Sequence, residues 1–417
     1  MVIVVILILL IDVYSFKGLV RITSRISRKM LKRIILYSFW MVSLLFLAGI
    51  FTAFLRENGA QTGRAQRNMF LFAGIMMTVY LPKILFIFFQ FIEDLVRFFA
   101  FVTGKVFATV SPAVNRNAER ITRSVFLSKA GLLLSVLPFG TFAYGMIHGK
   151  FNYITRFEKL FFPELPRTFN GLRIVHISDI HIGGLYGSWE KVEYAMNLIN
   201  NQKPDLIFFT GDLVNDFAEE LAGWIRILAK QEAKIGKYSI LGNHDYGDYH
   251  YWESERAKQE NLEKIKSAHR EIGFRLLLNQ SDTISLEGEK IAVVGVENWG
   301  KPPFAQYGDL REACKDTEDI PFIILLSHDP THWDAEVLKH TEIQLTLSGH
   351  THGMQFGIET KNIKWSPIKL KYPHWAGLYR EGNQYLYVNR GFGYIGYPGR
   401  VGIYPEITVI DLFRKET

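Results

Sequence analysis

The segment Arg173-Ile174-Val175-His176-Ile177-Ser178-Asp179-Ile180-His181 joins a short β-branched run to a cluster of polar side chains. A run of this length and composition that stops abruptly predicts a buried strand. The aromatic stretch from Phe151 to Pro166 fits an interfacial aromatic belt, but its loose alternation favours an earlier strand. Four later segments repeat the pattern of an apolar run that ends at once in polar residues: Leu206–Phe209 before Thr210-Gly211-Asp212, Tyr238–Leu241 before Gly242-Asn243-His244-Asp245, Phe322–Leu326 before Ser327-His328-Asp329, and Gln344–Leu347 before Ser348-Gly349-His350-Thr351-His352.

Helix-like stretches lie between these predicted strands. Glu190–Asn201 and Phe217–Gln231 have apolar residues at helical spacing, and Ser254–Gly273 is long and charged. Strands that alternate with helices indicate an α/β domain, and the ligand sites of such domains gather where strands end. We therefore expect the five polar clusters to form one site.

The clusters contain candidate metal ligands with carboxylate, imidazole or amide groups and no thiolate. That donor set suits two divalent ions of Mn, Fe or Zn better than a structural zinc site. Two metals about 3.5–4 Å apart, bridged by one carboxylate, can clamp a phosphate and hold a hydroxide between them. Cys314, the single cysteine, receives no catalytic role. The seven candidate ligands are Asp179, His181, Asp212, Asn243, His328, His350 and His352.

The N-terminal part of the chain differs from the rest in charge and in hydropathy. Residues 1–150 hold 18 Lys and Arg against five Asp and Glu, a net charge of +13, whereas the remainder carries −6. The basic residues stand between apolar runs, where they act as membrane topology signals. The overall charge of +7 is therefore no indication of nucleic-acid binding.

Four apolar runs predict a membrane domain of about four transmembrane helices in residues 1–150. Ile34–Leu55 is long enough to cross a hydrocarbon core of about 30 Å. Ala130–Ile147 is a second uncharged run, and Met69–Ile92 is a third despite an internal proline and lysine, which membrane helices tolerate. The first segment, which runs to about Phe16, lacks a basic start and a cleavage site, so we expect a retained anchor.

Basic residues are concentrated in the loops before the second and the fourth of these runs. The positive-inside rule places both loops in the cytoplasm, so the fourth helix leads out of it. We therefore expect an integral protein of the cell membrane with an extracytoplasmic C-terminal domain. One loop holds Lys17, Arg21, Arg25, Arg28, Lys29, Lys32 and Arg33, the other Arg97, Lys105, Arg116, Arg120, Arg123 and Lys129, and the intervening loop only Arg56, Arg64 and Arg67.

The polar clusters resemble the motifs of the calcineurin-like metallophosphoesterase superfamily. Their residues are most similar to those of its membrane-anchored YkuE- and YaeI-like branch, which includes the transmembrane protein with metallophosphoesterase domain. The resemblance covers roughly residues 150–413. It implies a four-layer αββα sandwich of two mixed sheets in residues 151–417, behind the α-helical transmembrane region. The blocks that carry it are Asp179-Ile180-His181, Gly211-Asp212, Gly242-Asn243-His244-Asp245, His328 and Gly349-His350-Thr351-His352.

The resemblance also implies a role for each candidate residue. His244 faces the substrate and protonates the leaving-group oxygen as general acid, while hydroxide attacks in line. The implied metal sites are Asp179, His181 and His352 for one ion, Asn243, His328 and His350 for the other, and Asp212 as the bridge.

The chain departs from the family pattern three residues after Asp212. Many relatives carry an acid there that orients the catalytic histidine, whereas this chain has Asn215. Three alternatives stay open: the Asn215 amide orients His244, the adjacent Asp216 substitutes for the acid, or the acid-assisted step is weaker. Asp245 is a further candidate contributor to that step.

A segment rich in glycine and aromatic residues, from Asn389 to Arg400, resembles an Arg–Gly stretch near the site of relatives. Arg390 or Arg400 is a candidate contact for a substrate phosphate. An equally good interpretation is a structural loop that closes the sandwich.

These observations predict a membrane-anchored metal-dependent phosphohydrolase. A phosphodiesterase or pyrophosphatase that acts on an envelope or lipid-linked phosphate ester is the leading hypothesis. One alternative is a hydrolase of the UDP-2,3-diacylglucosamine type from lipid A synthesis, which needs a cytoplasmic site. Another is an inactive phosphoesterase-fold receptor or scaffold, against which the intact ligand set argues.

Overall fold

The computed structural model describes residues 2–24, 26–55, 63–108 and 117–416, so that Arg25, Arg56 and Arg116 of the basic loops lie outside the described residues. The chain forms two compact units. Met1–Asn58 and Phe72–Tyr144 make up the first, and Gly59–Leu71 and Gly145–Thr417 make up the second. Residues 63–71 therefore group with the C-terminal part of the chain.

The first unit consists of helices. Each is long and apolar enough to cross a membrane, which confirms the predicted N-terminal helical region. The first helix is longer than its predicted run because it continues to Thr23. The four helices are α1 Val2–Thr23, α2 Lys29–Leu55, α3 Gly63–Ala108 and α4 Asn117–Ile147, of which the start of α3 and the last residues of α4 belong to the second unit.

A buried ion pair joins three helices of the first unit. Lys83 Nζ of α3 lies 2.7 Å from Asp12 Oδ1 of α1, and the Tyr80 hydroxyl donates to Asp12 Oδ2 at 3.0 Å. Lys83 Nζ also donates to Ser43 Oγ of α2 at 3.4 Å. Charges inside an apolar bundle are costly unless they are paired, so this pairing specifies which faces of the helices meet.

The second unit contains two six-stranded mixed sheets and a short hairpin of β10 and β11. The first sheet has the order β1-β14-β2-β3-β4-β5, and the second has the order β12-β13-β9-β8-β7-β6. The strands are β1 Ile154–Phe162, β2 Leu172–Ile177, β3 Leu206–Phe209, β4 Gly236–Ser239, β5 Arg275–Leu276, β6 Gln280–Leu286, β7 Glu289–Gly295, β8 Ile323–Leu326, β9 Leu345–Ser348, β10 Ile358–Glu359, β11 Lys364–Trp365, β12 Gly377–Glu381, β13 Gln384–Val388 and β14 Glu406–Arg414.

The two sheets pack face to face with helices on their outer faces, which confirms the predicted four-layer sandwich. Ile174 and Phe208 of the first sheet share a core with Ile324 and Leu347 of the second. The removal of apolar surface from water stabilises the fold by roughly 25 cal/mol per Å². The helices of the outer layers are α5 Trp189–Asn201, α6 Ile225–Leu228 and α7 Glu255–Ile272 on the first sheet, and α8 Leu310–Cys314 and α9 Leu338–His340 on the second.

The predicted helix Phe217–Gln231 is wrong. The structure has a 3₁₀ turn at Ala218–Leu221 and only the short α6 beyond it. Gly223 separates the two with a φ of +82°, a left-handed conformation that ends a right-handed helix. Glu220 in the turn is buried and accepts hydrogen bonds from several backbone N–H groups, which favours a turn over a regular helix.

Candidate metal centre

The five polar clusters meet at one end of the two sheets. In the first sheet, β2, β3 and β4 are parallel neighbours, so their carboxyl ends lie side by side. In the second sheet, β8 and β9 are also parallel neighbours. His328 Nδ1, after β8, donates to the Thr210 carbonyl, after β3, at 2.6 Å. This hydrogen bond joins the two sheets at the site and leaves His328 Nε2 as the atom available to a metal.

Asp179, His181 and His352 form the first group of metal-competent side chains. His181 Nε2 lies 3.0 Å from His352 Nε2, and His352 Nε2 lies 3.3 Å from Asp179 Oδ1. Two ring nitrogens that face each other beside a carboxylate need a cation or a proton between them. The group therefore fits a divalent ion with nitrogen and oxygen ligands.

Asp212, His328 and His350 form the second group, and Asn243 adjoins it. His328 Nε2 lies 3.1 Å from Asp212 Oδ2, and His350 Nδ1 lies 2.8 Å from Asn243 Oδ1. Asn243 Nδ2 donates to the Tyr249 hydroxyl at 2.8 Å, which turns its amide oxygen toward His350. The four residues offer two imidazoles, a carboxylate and an amide oxygen to one ion.

Asp212 stands between the two groups. Its Oδ2 is 3.1 Å from His328 Nε2 of the second group and 3.5 Å from His181 Nε2 of the first. Its Oδ1 accepts from the His244 backbone N–H at 2.9 Å. Asp212 is therefore placed where one carboxylate could contact an ion in each group.

Most of the candidate ligands hold a strained backbone conformation. Asp179, His181, Asp212, His350 and His352 have φ values of +54°, +45°, +60°, +71° and +51°. Non-glycine residues rarely occupy this left-handed region, and each such residue costs on the order of 1–3 kcal/mol. Strain that coincides with five of seven candidate ligands indicates a geometry held for function.

The electrostatics of the site depend on burial and on close carboxylate–imidazole pairs. Burial alone would raise the pKa of Asp212, but His328 and His244 lower it well below its usual range. Burial opposes a charged His328, yet Asp212 raises the pKa of that histidine to about 10. Burial lowers the pKa of His181 well below its usual value. The site thus stabilises the charged form of Asp212 next to a positively charged imidazole, an environment that also suits a cation.

Asp245 supports the loop that carries Asp212. Its carboxylate accepts from the backbone N–H groups of Gly242, Asp212 and Leu213 at 2.8–2.9 Å. Burial and the nearby Asp212 raise the pKa of Asp245 to about 7. The structure therefore places Asp245 behind Asp212, and these hydrogen bonds of its carboxylate go to backbone N–H groups and not to the His244 ring.

His244 is oriented by a main-chain carbonyl. Its Nδ1 donates to the Asn215 carbonyl at 2.8 Å, which leaves Nε2 for a substrate. The Asn215 amide side chain instead donates to Glu220 Oε2 at 2.8 Å. Of the three alternatives that the sequence left open, the first is not seen in this geometry, because the Asn215 main chain and not its amide contacts the imidazole. The sequence did not single out Glu220 as part of the site, because the helical spacing of the surrounding residues predicted an ordinary helix there.

Arg390 and Arg400 lie inside the protein. Arg390 is 2% exposed and forms ion pairs with Glu406 and Glu359. Arg400 is fully buried, and its Nη2 lies 3.2 Å from His352 Nδ1. Both guanidinium groups are held by protein partners, so the structure favours the interpretation of a structural loop over a phosphate contact.

Both parts of the chain are similar to known proteins. The family profile described as "Calcineurin-like phosphoesterase" matches residues 172–354, and the one described as "Probable Calcineurin-like phosphoesterase, transmembrane domain" matches residues 1–150. The uncharacterized metallophosphoesterase YkuE of Bacillus subtilis is 35% identical over 255 residues, which cover 60% of this chain and 81% of that protein. The chain belongs to the calcineurin-like metallophosphoesterases. It is therefore a metal-dependent phosphoester hydrolase by family.

One further relative and one solved structure also match part of the metallophosphoesterase. The transmembrane protein with metallophosphoesterase domain of Danio rerio is 30% identical over 60% of this chain and 55% of its own length. This metallophosphoesterase thus matches about half of that relative. The solved structure of Haemophilus influenzae NAD nucleotidase matches with a TM-score of 0.37 and 19% identity over 53% of this chain and 45% of that one.

Proposed function

We propose that this metallophosphoesterase holds two divalent ions and hydrolyses a phosphodiester or pyrophosphate bond of a lipid-linked or envelope substrate. The observation that carries the proposal is the position of Asp212 Oδ2 between His181 and His328, one from each metal-competent group. Bound Mn, Fe or Zn ions would supply Lewis-acid charge for the phosphoryl oxygens and lower the pKa of water at the site.

The chain's own residues provide the remaining chemistry. Asp179, His181 and His352 would hold one ion, Asn243, His328 and His350 would hold the other, and Asp212 would contribute to both. His244 gives a proton from Nε2 to the leaving oxygen, because its Nδ1 is committed to the Asn215 carbonyl.

The membrane helices support a membrane-associated substrate. They also bear on which side of the bilayer the catalytic unit lies. If α3 and α4 each cross the bilayer once, the start of α3 and the end of α4 lie on the same side. The grouping of 63–71 with 145–416 agrees with that arrangement. Together with the basic loops, it supports an extracytoplasmic catalytic unit.

The substrate class is tested with the full chain in detergent, purified and supplied with or without Mn²⁺. We expect Mn²⁺-dependent hydrolysis of bis-p-nitrophenyl phosphate that exceeds hydrolysis of p-nitrophenyl phosphate. A lipid phosphodiester in mixed micelles should be cleaved faster than a water-soluble diester at equal concentration. A folded, metal-loaded chain that cleaves no diester contradicts the proposal.

Replacement of His244 by Gln should make the enzyme selective for good leaving groups. Hydrolysis of diphenyl phosphate, whose phenolate needs a proton, is expected to fall roughly 100-fold or more, whereas bis-p-nitrophenyl phosphate loses less than about tenfold. The ratio of the two kcat values measures this, with metal content as the control. Equal losses on both esters would show that His244 is not the acid.

Orientation can be read from thiol labelling in cells. In a Cys314→Ala background, Leu370→Cys places a thiol at a side chain that is 95% exposed. A membrane-impermeant maleimide should label it in spheroplasts, whereas Ser27→Cys, in the α1–α2 loop, should react only after lysis. The opposite pattern would favour the UDP-2,3-diacylglucosamine hydrolase alternative, which needs a cytoplasmic site.

A further inference from the structure

Glu220 is a buried carboxylate that none of the roles above uses. It is 1% exposed, and its two oxygens accept hydrogen bonds from six donors at 2.8–3.3 Å. A carboxylate is the only side chain that can accept this many bonds without presenting a donor of its own. The six donors are the backbone N–H groups of Gly183, Asn215, Asp216 and Phe217 and the side-chain amides of Asn215 and Gln66.

The first connection runs from Glu220 to the general acid. Oε2 accepts from both the backbone N–H and the side-chain amide of Asn215, each at 2.8 Å. Asn215 is thereby fixed at two points, and its carbonyl is left to accept from His244 Nδ1 at 2.8 Å. The direction of the His244 ring therefore depends on Glu220 through a single intervening residue.

The second connection runs from Glu220 to the loop that follows His181. Oε2 also accepts from the backbone N–H of Gly183 at 3.1 Å. A Cβ added at Gly183 would lie 2.2 Å from Glu220 Oε2, so the loop approaches the carboxylate as closely as its backbone permits. The metal-competent loop and the loop that orients His244 thus share one anchor.

The third connection runs from Glu220 to the start of α3. Gln66 is 4% exposed, and its Nε2 donates to Glu220 Oε1 at 3.3 Å. A Cβ at Gly63 would lie 3.6 Å from Gly183 Cα, so the first turn of α3 packs on the same loop. The same helix continues into a stretch long and apolar enough to cross a membrane.

We propose that Glu220 is the positioning residue for the general acid and that Gln66 makes the first turn of α3 part of this arrangement. The acid step then depends on a membrane-spanning helix as well as on the catalytic loops. The inference rests on the proposed role of His244. It predicts that residues 151–417 alone, which lack Gln66, protonate leaving groups less well than the full chain.

The test compares kcat of the full chain and its variants on diphenyl phosphate and bis-p-nitrophenyl phosphate with Mn²⁺. In Glu220→Gln, an amide N–H replaces one acceptor and opposes the donors around it. We expect a loss of roughly 30-fold or more on diphenyl phosphate and a loss below about fivefold on the nitrophenyl ester, within the range of acid catalysis. Gln66→Ala should lower the ratio of kcat on diphenyl phosphate to kcat on bis-p-nitrophenyl phosphate about threefold to tenfold, as expected for the loss of a supporting contact. Asn68→Ala, which removes an exposed amide from the same turn of α3, should leave the ratio unchanged.

Double variants separate positioning from general support. In a His244→Gln background, Glu220→Gln should cause no further loss on diphenyl phosphate, because both changes remove the same step. Equal losses on both esters, or full additivity with His244→Gln, would overturn the inference. If Glu220→Gln does not fold, an unchanged ratio in Gln66→Ala overturns it and a lowered ratio supports it. A wild-type chain without diesterase activity would instead refute the proposed function.

Discussion

Asp212→Asn is expected to reduce Mn²⁺-dependent hydrolysis at least about a thousandfold, equivalent to roughly 4 kcal/mol of transition-state stabilisation. The substitution keeps the shape of the side chain and the oxygen that accepts from the His244 N–H. It removes the negative charge that lies between His181 and His328. An amide also offers a single oxygen, and therefore cannot bridge two ions through both of its terminal atoms.

Metal content and kcat of the full chain in detergent measure this effect. We expect the bound metal to fall below two ions per chain while the thermal unfolding of the metal-free protein changes little. Asp316→Asn is the matched control, because Asp316 is an exposed carboxylate outside the site. An Asp212→Asn protein that retains two ions and a tenth of the activity would contradict a bridging role.

The second large effect concerns stability. Arg390→Met should destabilise the catalytic unit by about 3–5 kcal/mol, because it leaves the fully buried Glu406 without its main cation. Burial alone would raise the pKa of Glu406, but Arg390 lowers it below its usual value, so the carboxylate is charged in the folded protein. Glu359 loses one of its two cations in the same variant and keeps Arg156, whose guanidinium lies 2.7 Å from Glu359 Oε2.

Thermal unfolding of the full chain in detergent reports this loss, with an expected fall in the midpoint of about 10 °C. The double variant Arg390→Met/Glu406→Gln should recover part of it, since both members of the buried pair are then neutral. The unfolding midpoint of Arg390→Lys should lie between those of the wild type and Arg390→Met. An ammonium keeps the positive charge but cannot donate to two carboxylates in the planar geometry of a guanidinium. A midpoint within 2 °C of the wild type in Arg390→Met would show that the pair is not important for stability.

Local sequence patterns predicted the architecture because burial leaves a periodic trace in the chain. The apolar runs that became β2, β3, β8 and β9 lie within one residue of their expected bounds, since each is buried on both faces of a sheet. The four apolar helices were predictable for the same reason. The helix expected at 217–231 failed because helical spacing says nothing about a left-handed Gly223.

The candidate site was accessible from sequence only where a side chain itself carries the chemistry. Aspartate and histidine residues at predicted strand ends can be identified directly from the sequence. The structure brings all seven candidate ligands to one end of the sheets. The acceptor for His244 is a main-chain carbonyl, which every residue possesses and no motif reveals. The sequence also did not predict that Arg390 is buried, because its ion-pair partners Glu359 and Glu406 are not adjacent to it in the chain.

The sequence by itself determined that membrane helices precede an α/β unit and that metal-binding side chains follow its strands, since hydropathy period and residue chemistry are local properties. The tertiary structure alone decided that β14 lies between β1 and β2, that Asp212 stands between two histidine groups, and that Gln66 reaches Glu220. These contacts join segments up to about 250 residues apart. Their selection depends on the packing of complete sheets and helices, a free energy that no short segment contains.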